Sequence, residues 1–198
     1  MAFITPQELL DIAAMALVLG FLFKDSFRPT PTYSDDPLKA FKKPRTKWKD
    51  FLFATAIIAP SIIIHELAHK FTAMGYGLEA TFHAFYANPT TLVIGVIAIA
   101  AKLFGSGLIF LIPGYVRVLG EATASQHALI AFAGPAVHLL FWTGSKLYLR
   151  LKDKLTVRQR EFATLTANVN GLLFIINMLP VPGIDGHAVF THLAQALA

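Results

Sequence analysis

Two histidines four residues apart, His65 and His69, enclose Glu66 in the segment HELAH. On a helix the two imidazoles share one face and can bind a single cation, while Glu66, about 100° away, can reach a water on that cation. This spacing is typical of zinc-dependent hydrolysis. The segment directly follows an apolar run, where an uncompensated charge costs roughly 2.5 kcal/mol or more. We therefore predict a metal site; the alternative is a hydrogen-bonded His-Glu-His cluster that holds helices together.

A catalytic zinc site needs a third protein ligand and an open fourth position for water. The chain has no cysteine, so a histidine or a carboxylate must supply that ligand. Of the twelve acidic residues, only Glu66 and Asp185 lie within or at the end of a long uncharged apolar stretch. We predict that Asp185 completes a set of two histidines and one carboxylate. The alternative is an Asp-Gly turn at a membrane surface.

The composition is that of a membrane protein. The chain of 198 residues is 55% hydrophobic and only 15% charged, against about 25% charged residues in typical soluble domains. It has room for about four or five helices of some 20 residues that span a bilayer. We predict an all-α polytopic membrane protein, an integral multi-pass protein of the cell membrane in which residues 1–198 form a single domain. The net charge of +5 does not indicate nucleic-acid binding, because the basic residues lie between apolar runs.

The elements that must position these side chains follow from the apolar pattern. The predicted spanning helices cover about residues 9–23, 51–74, 128–147 and 162–179. A polar loop, residues 24–50, separates the first two. Glycine and proline interrupt the apolar region 91–116, which predicts a re-entrant or strand-like segment near 103–120. The tail after Gly186 predicts a short amphipathic helix.

Three motifs together resemble the site-2 protease family of intramembrane zinc metalloproteases. They are HELAH at residues 65–69, Ala-Gly-Pro at residues 133–135, and a closing pattern that joins Asn177 to Asp185 through Pro180. They occur in the family's order. The resemblance implies one zinc ion per chain bound by His65, His69 and Asp185, with Glu66 as the general base. It also implies that Asn177 helps to hold the substrate or the developing oxyanion.

Two positions depart from the family's pattern. Ile184 precedes the Asp-Gly pair where leucine is usual, and His138 lies where the family often has an asparagine. The chain has no insertion that resembles a PDZ domain and no tail that resembles a CBS pair. We therefore expect a minimal catalytic core.

The residues and the resemblance predict a zinc endopeptidase that hydrolyses peptide bonds in or near transmembrane segments. The expected partners are a transmembrane protein substrate and the lipid bilayer, without nucleic acid. We also expect residues 108–116 to offer a strand edge to the unwound substrate. The alternative is a zinc-binding membrane transporter or sensor without hydrolysis. Glu66 between the histidines favours water activation over transport.

The basic residues give a separate signal about orientation. Residues 24–50 and 149–160 hold 13 of the 17 lysines and arginines. If both segments lie on one side of the membrane, the positive-inside rule makes that side cytoplasmic. The family resemblance implies the opposite, with the active site nearer the cytoplasm.

Overall fold

The computed structural model describes residues 3–27, 47–105 and 114–198, and over these residues the chain has an all-α polytopic membrane fold with one small sheet. Within these ranges, three helices are long and apolar enough to cross a membrane. They are Pro6–Phe23, Trp48–Gly75 and Ala124–Leu151. The predicted fold class is confirmed.

The first helix, α1 (Pro6–Phe23), begins at a capping box. The Thr5 hydroxyl accepts a hydrogen bond from the Glu8 backbone N–H at 3.2 Å, and the Glu8 carboxylate accepts one from the Thr5 N–H at 2.8 Å. These bonds satisfy backbone donors that a helix start leaves unpaired. Met15 and Leu19 are fully buried in the main apolar core, which α1 shares with the next helix.

Helix α2 (Lys47–Gly75) is 29 residues long and contains Pro60. Residues 47–50, which we predicted as the end of a polar loop, already belong to this helix. Residues 28–46 of the predicted loop lie outside the described residues. The HELAH segment therefore lies in the second half of a long helix, as its spacing requires.

The strand-like segment expected near 103–120 is present as β2 (Tyr115–Leu119). It pairs antiparallel with β1 (Glu79–His83), so that Thr81 lies opposite Arg117. Between the strands come a 3₁₀ turn (Phe85–Ala87) and α3 (Pro89–Leu103). Residues 108–113 of the expected substrate edge lie outside the described part of the chain.

Three further helices follow in the described part of the chain: α4 (Ala124–Leu151), α5 (Val157–Asn177) and α6 (Asp185–Leu197). Capping boxes start α4 at Thr123 and α5 at Thr156. Helix α5 has the 21 residues that a span needs, but it is more polar than the three candidate spans. Helix α6 is the amphipathic tail helix that we predicted.

The sheet determines which helix ends lie together. Strand β1 follows α2 and strand β2 precedes α4, so their pairing places the end of α2 beside the start of α4. At the opposite end of the bundle, Phe53 near the start of α2 contacts Phe162 near the start of α5. The described basic residues at these helix starts, such as Lys49 and Arg158, therefore lie at one end of the molecule.

Burial does not follow the sequence distinction that set Glu66 and Asp185 apart from the other acids. Glu8, Asp11 and Asp50 are also buried. Glu8 accepts hydrogen bonds from Lys70 Nζ at 2.5 Å and from the Phe82 N–H at 2.8 Å. These hydrogen bonds offset the cost of burying the Glu8 carboxylate. Both partners lie more than 60 residues away in the sequence, so a local stretch of sequence does not reveal them.

Asp11 attaches the same helix to the segment after β1. Its carboxylate accepts hydrogen bonds from the Ala84 N–H at 3.2 Å and from the Tyr86 hydroxyl. The hydrogen bond to Asp11 raises the pKa of Tyr86 to about 12. Glu8 and Asp11 thus hold α1 against the sheet next to the HELAH helix.

Candidate metal centre

Helix α2 presents both histidines of the HELAH segment to the interior. His65 is 6% exposed and His69 is 8% exposed. Their Nε2 atoms lie 3.1 Å apart, because residues four apart on a helix share a face. Two imidazole nitrogens are therefore directed at one point.

Asp185 reaches this point from the start of α6. The turn before it needs Gly183, whose φ of 88° lies in the left-handed region. Gly186 packs closely on the end of α5, since an added Cβ would lie 2.5 to 2.6 Å from the Met178 carbonyl group. This packing places Asp185 Oδ2 3.1 Å from His65 Nε2 and 3.4 Å from His69 Nε2.

The three predicted ligands fit a zinc ion in type and spacing. Two donors bound to one zinc at about 2.1 Å in tetrahedral geometry lie roughly 3.4 Å apart, and the three observed separations run from 3.1 to 3.4 Å. His69 Nδ1 lies 2.7 Å from the Ile130 carbonyl oxygen. An Nδ1–H that donates there leaves the Nε2 lone pair free for a metal. His65 Nδ1 is buried without a hydrogen-bond partner among the described residues.

Gly134 of α4 provides the space beside these ligands. A Cβ at this position would lie 2.3 Å from His69 Nε2 and 2.6 Å from His65 Nε2. Any side chain would therefore enter the volume around the ligand nitrogens. The sequence marked Ala-Gly-Pro as part of the family resemblance, and the structure gives Gly134 a steric reason.

His138, which the sequence marked only as a departure from the family's usual asparagine, lies against the site. Its ring stacks on His65 with centroids 4.6 Å apart and an interplanar angle of 30°. Its Nδ1 lies 2.9 Å from Asn170 Oδ1, and the Asn170 amide donates to Ser61 Oγ at 2.9 Å. This chain of contacts joins α4, α5 and α2.

The two predicted catalytic residues, Glu66 and Asn177, are less buried than the two histidines. Glu66 is half-buried, and its carboxylate interacts electrostatically with His69 and Asp185. Asn177 is the last residue of α5 and is half-buried. It directly precedes Met178, whose carbonyl group packs on Gly186 beside the predicted ligand Asp185. The catalytic parts assigned to Glu66 and Asn177 stay predictions.

The fold and the ligand set define a membrane protein with a candidate zinc centre between its helices, and two groups of relatives carry matching names. The chain is 25% identical over 195 residues to "Putative zinc metalloprotease MJ0611" of Methanocaldococcus jannaschii, covering 92% of this chain and 83% of the relative. It is 30% identical over 145 residues to "Putative zinc metalloprotease Rip2" of Mycobacterium tuberculosis, covering 65% of this chain and 52% of that relative. No protein-family model matches the chain, and no solved structure matches it significantly.

Proposed function

We propose that the chain is an intramembrane zinc endopeptidase of the cell membrane, which hydrolyses peptide bonds in or near the transmembrane segments of other proteins. The observation that carries the proposal is the convergence of His65, His69 and Asp185 within 4.8 Å of one another, with Glu66 in the same turn of α2. The names of the relatives support the zinc-protease part. The apolar helices that hold the ligands support the intramembrane part.

The three ligands would hold one zinc ion, which when bound polarises the scissile carbonyl and makes water more acidic. Glu66 takes the proton from the attacking water and delivers it to the leaving amine nitrogen. Gly134 keeps the space beside the ligands open for the reacting groups. Asn177 donates a hydrogen bond that holds the substrate or the developing oxyanion.

A transmembrane substrate must unwind before it can react. In a helix its carbonyl groups are bonded to N–H groups four residues later, and the bilayer offers no replacement partners. The strand edge expected at 108–116 would supply such partners to the unwound segment. Unchanged cleavage after Ile112→Pro would remove this part of the proposal.

The test compares the wild-type protein with Glu66→Gln after purification in detergent. Zinc content and cleavage of a transmembrane reporter peptide are measured on the same samples. We expect about one zinc per chain in both proteins and a loss of cleavage of about 10²-fold or more in the variant, because only the general base is removed.

Glu121→Gln is the matched control, because Glu121 is an exposed glutamate before α4 that is not part of the predicted site. It should cleave like the wild type. Equal cleavage by Glu66→Gln would contradict the assignment of the base. Bound zinc without cleavage by the wild type or either variant would favour the transporter or sensor alternative. Absence of zinc would favour the alternative of a hydrogen-bonded His-Glu-His cluster.

A further inference from the structure

A cavity of about 850 Å³ lies at the end of the bundle where α2 begins, α4 ends and α5 begins. It is distinct from the metal centre, since none of the three predicted ligands lines it and its wall residue nearest to His65 on α2, Ala56, is nine residues away, about 14 Å along a helix axis. Its volume falls in the range of roughly 300 to 1,000 Å³ that is typical of ligand sites. The zinc chemistry makes no use of it.

The inner wall of the cavity is apolar. Helix α2 contributes one continuous face, Leu52, Phe53 and Ala56. Leu140 and Phe141 face them from α4. The α4 backbone is left uncovered at Gly144, where an added Cβ would meet nothing within 4 Å. Such a wall suits a hydrocarbon chain rather than a polar metabolite.

The rim of the cavity is cationic. Lys49 from α2 and Arg158 from α5 both line it, and none of the described lining residues is a carboxylate. Tyr148 and Ser145 add hydroxyl groups from α4. The cavity therefore combines an apolar interior with an opening that attracts an anion and offers hydrogen-bond donors to it.

The rim also lies where phospholipid headgroups are expected. Trp48 is 63% exposed and Tyr148 is 38% exposed at this end of the bundle. Exposed tryptophan and tyrosine at the ends of spanning helices are typical of the membrane–water interface. Arg150 in the last turn of α4 adds a further cation at the same level.

We propose that this cavity binds one anionic phospholipid. An acyl chain lies between the α2 face and the α4 face, and the headgroup phosphate is bound by Lys49 and Arg158. The protein would therefore carry a lipid site at the end of the bundle opposite its metal centre. This inference does not depend on the proposed protease activity.

Native mass spectrometry of the detergent-purified full chain tests the proposal. The probes are phosphatidylglycerol and phosphatidylcholine with identical acyl chains. We expect one phosphatidylglycerol per chain and a clear preference over phosphatidylcholine. In the double variant Lys49→Gln, Arg158→Gln that preference should fall by roughly ten- to thirtyfold, since each basic residue near a headgroup contributes about a factor of five.

A second variant tests the apolar part without changing charge. Gly144→Phe fills the space at the uncovered α4 backbone and should reduce the binding of both lipids. Gly75→Phe is its control, because Gly75 also has nothing within 4 Å of an added Cβ but lies at the far end of α2. Thermal unfolding of each variant shows that it is folded.

The control for charge is Lys152→Gln, Arg160→Gln, two exposed cations near the same end that do not line the cavity. This variant should keep the wild-type preference. An equal loss of preference in this control would mean that general surface charge attracts the lipid, which overturns the site. Equal binding of the two lipids by the wild type, or unchanged lipid binding in Gly144→Phe, would also overturn the proposal.

Discussion

At the scale of single residues, the candidate metal centre depends on a glycine, Gly134, as much as on the predicted ligands. His65, His69 and Asp185 supply the donor atoms, and Gly134 supplies the space beside them. Gly134 is buried within α4, and a glycine inside a helix lowers the stability of that helix. Its close approach to the histidines explains why a glycine stands there.

Gly134→Ala should reduce zinc content while leaving the fold intact, since the new Cβ would lie 2.3 Å from His69 Nε2. Zinc per chain, measured by atomic emission, and thermal unfolding in detergent check this expectation. Gly144→Ala is the matched control in the same helix, where nothing lies within 4 Å of the new Cβ. A full equivalent of zinc in Gly134→Ala would contradict the steric argument.

Asn177→Ala should lower the turnover number by roughly 10²-fold or more without loss of zinc, if its amide stabilises the oxyanion. Reporter cleavage and zinc content on one sample separate these effects. Asn168→Ala serves for comparison, because Asn168 is exposed on the same helix. Equal turnover in both variants would exclude Asn177 from the reaction.

At the scale of elements, buried carboxylates hold the first helix to the rest of the bundle. Glu8 on α1 is 1% exposed and bonds both to Lys70, the residue after the ligand His69, and to the backbone of β1. The capping box at Thr5 uses the same carboxylate. One side chain thus links α1, α2 and the sheet.

Glu8→Ala should therefore lower the free energy of unfolding by about 3 to 5 kcal/mol, because it leaves the Lys70 ammonium buried without its partner. Thermal or chemical unfolding in detergent measures the change. Glu121→Ala removes an exposed glutamate and should stay within about 0.5 kcal/mol of the wild type. Similar losses in the two variants would show that the buried pair does not stabilise the helix packing.

At the scale of the whole molecule, the antiparallel sheet brings the chain back to the side where α2 ends. The described basic residues near the start of α2 and around the turn from α4 to α5 therefore lie at one end, and the candidate metal centre lies toward the other. Among the described residues, both basic groups lie on one side of the spanning helices, which is the condition for applying the positive-inside rule to them together. That rule and the family resemblance then make opposite predictions of orientation.

Labelling of single-cysteine variants decides between the two orientations, because the chain has no cysteine of its own. The positive-inside rule predicts that an impermeant maleimide labels Glu121→Cys in intact cells and labels Lys152→Cys only after lysis. Both positions are exposed, at opposite ends of α4. The reverse labelling pattern would place the candidate metal centre toward the cytoplasm, as the resemblance implies.

The sequence by itself determined the local features. Apolar runs and the four-residue spacing of His65 and His69 depend only on residues that are close together in the sequence. These features predicted the membrane fold and two ligands of one helix. The choice of Asp185 also came from the sequence, through its place after an apolar helix and through the family pattern.

Only the tertiary structure decided which distant groups meet. The Glu8–Lys70 pair joins residues 62 apart, and the His138–Asn170 contact joins residues 32 apart. Such contacts depend on how whole helices pack, so no local window contains the information. The space at Gly134 and the cationic cavity between three helix ends also depend on helix packing, so the sequence did not predict them. The packing of the helices brings these side chains together as a candidate site, whereas the spacing of the histidines in the sequence indicated only its chemistry.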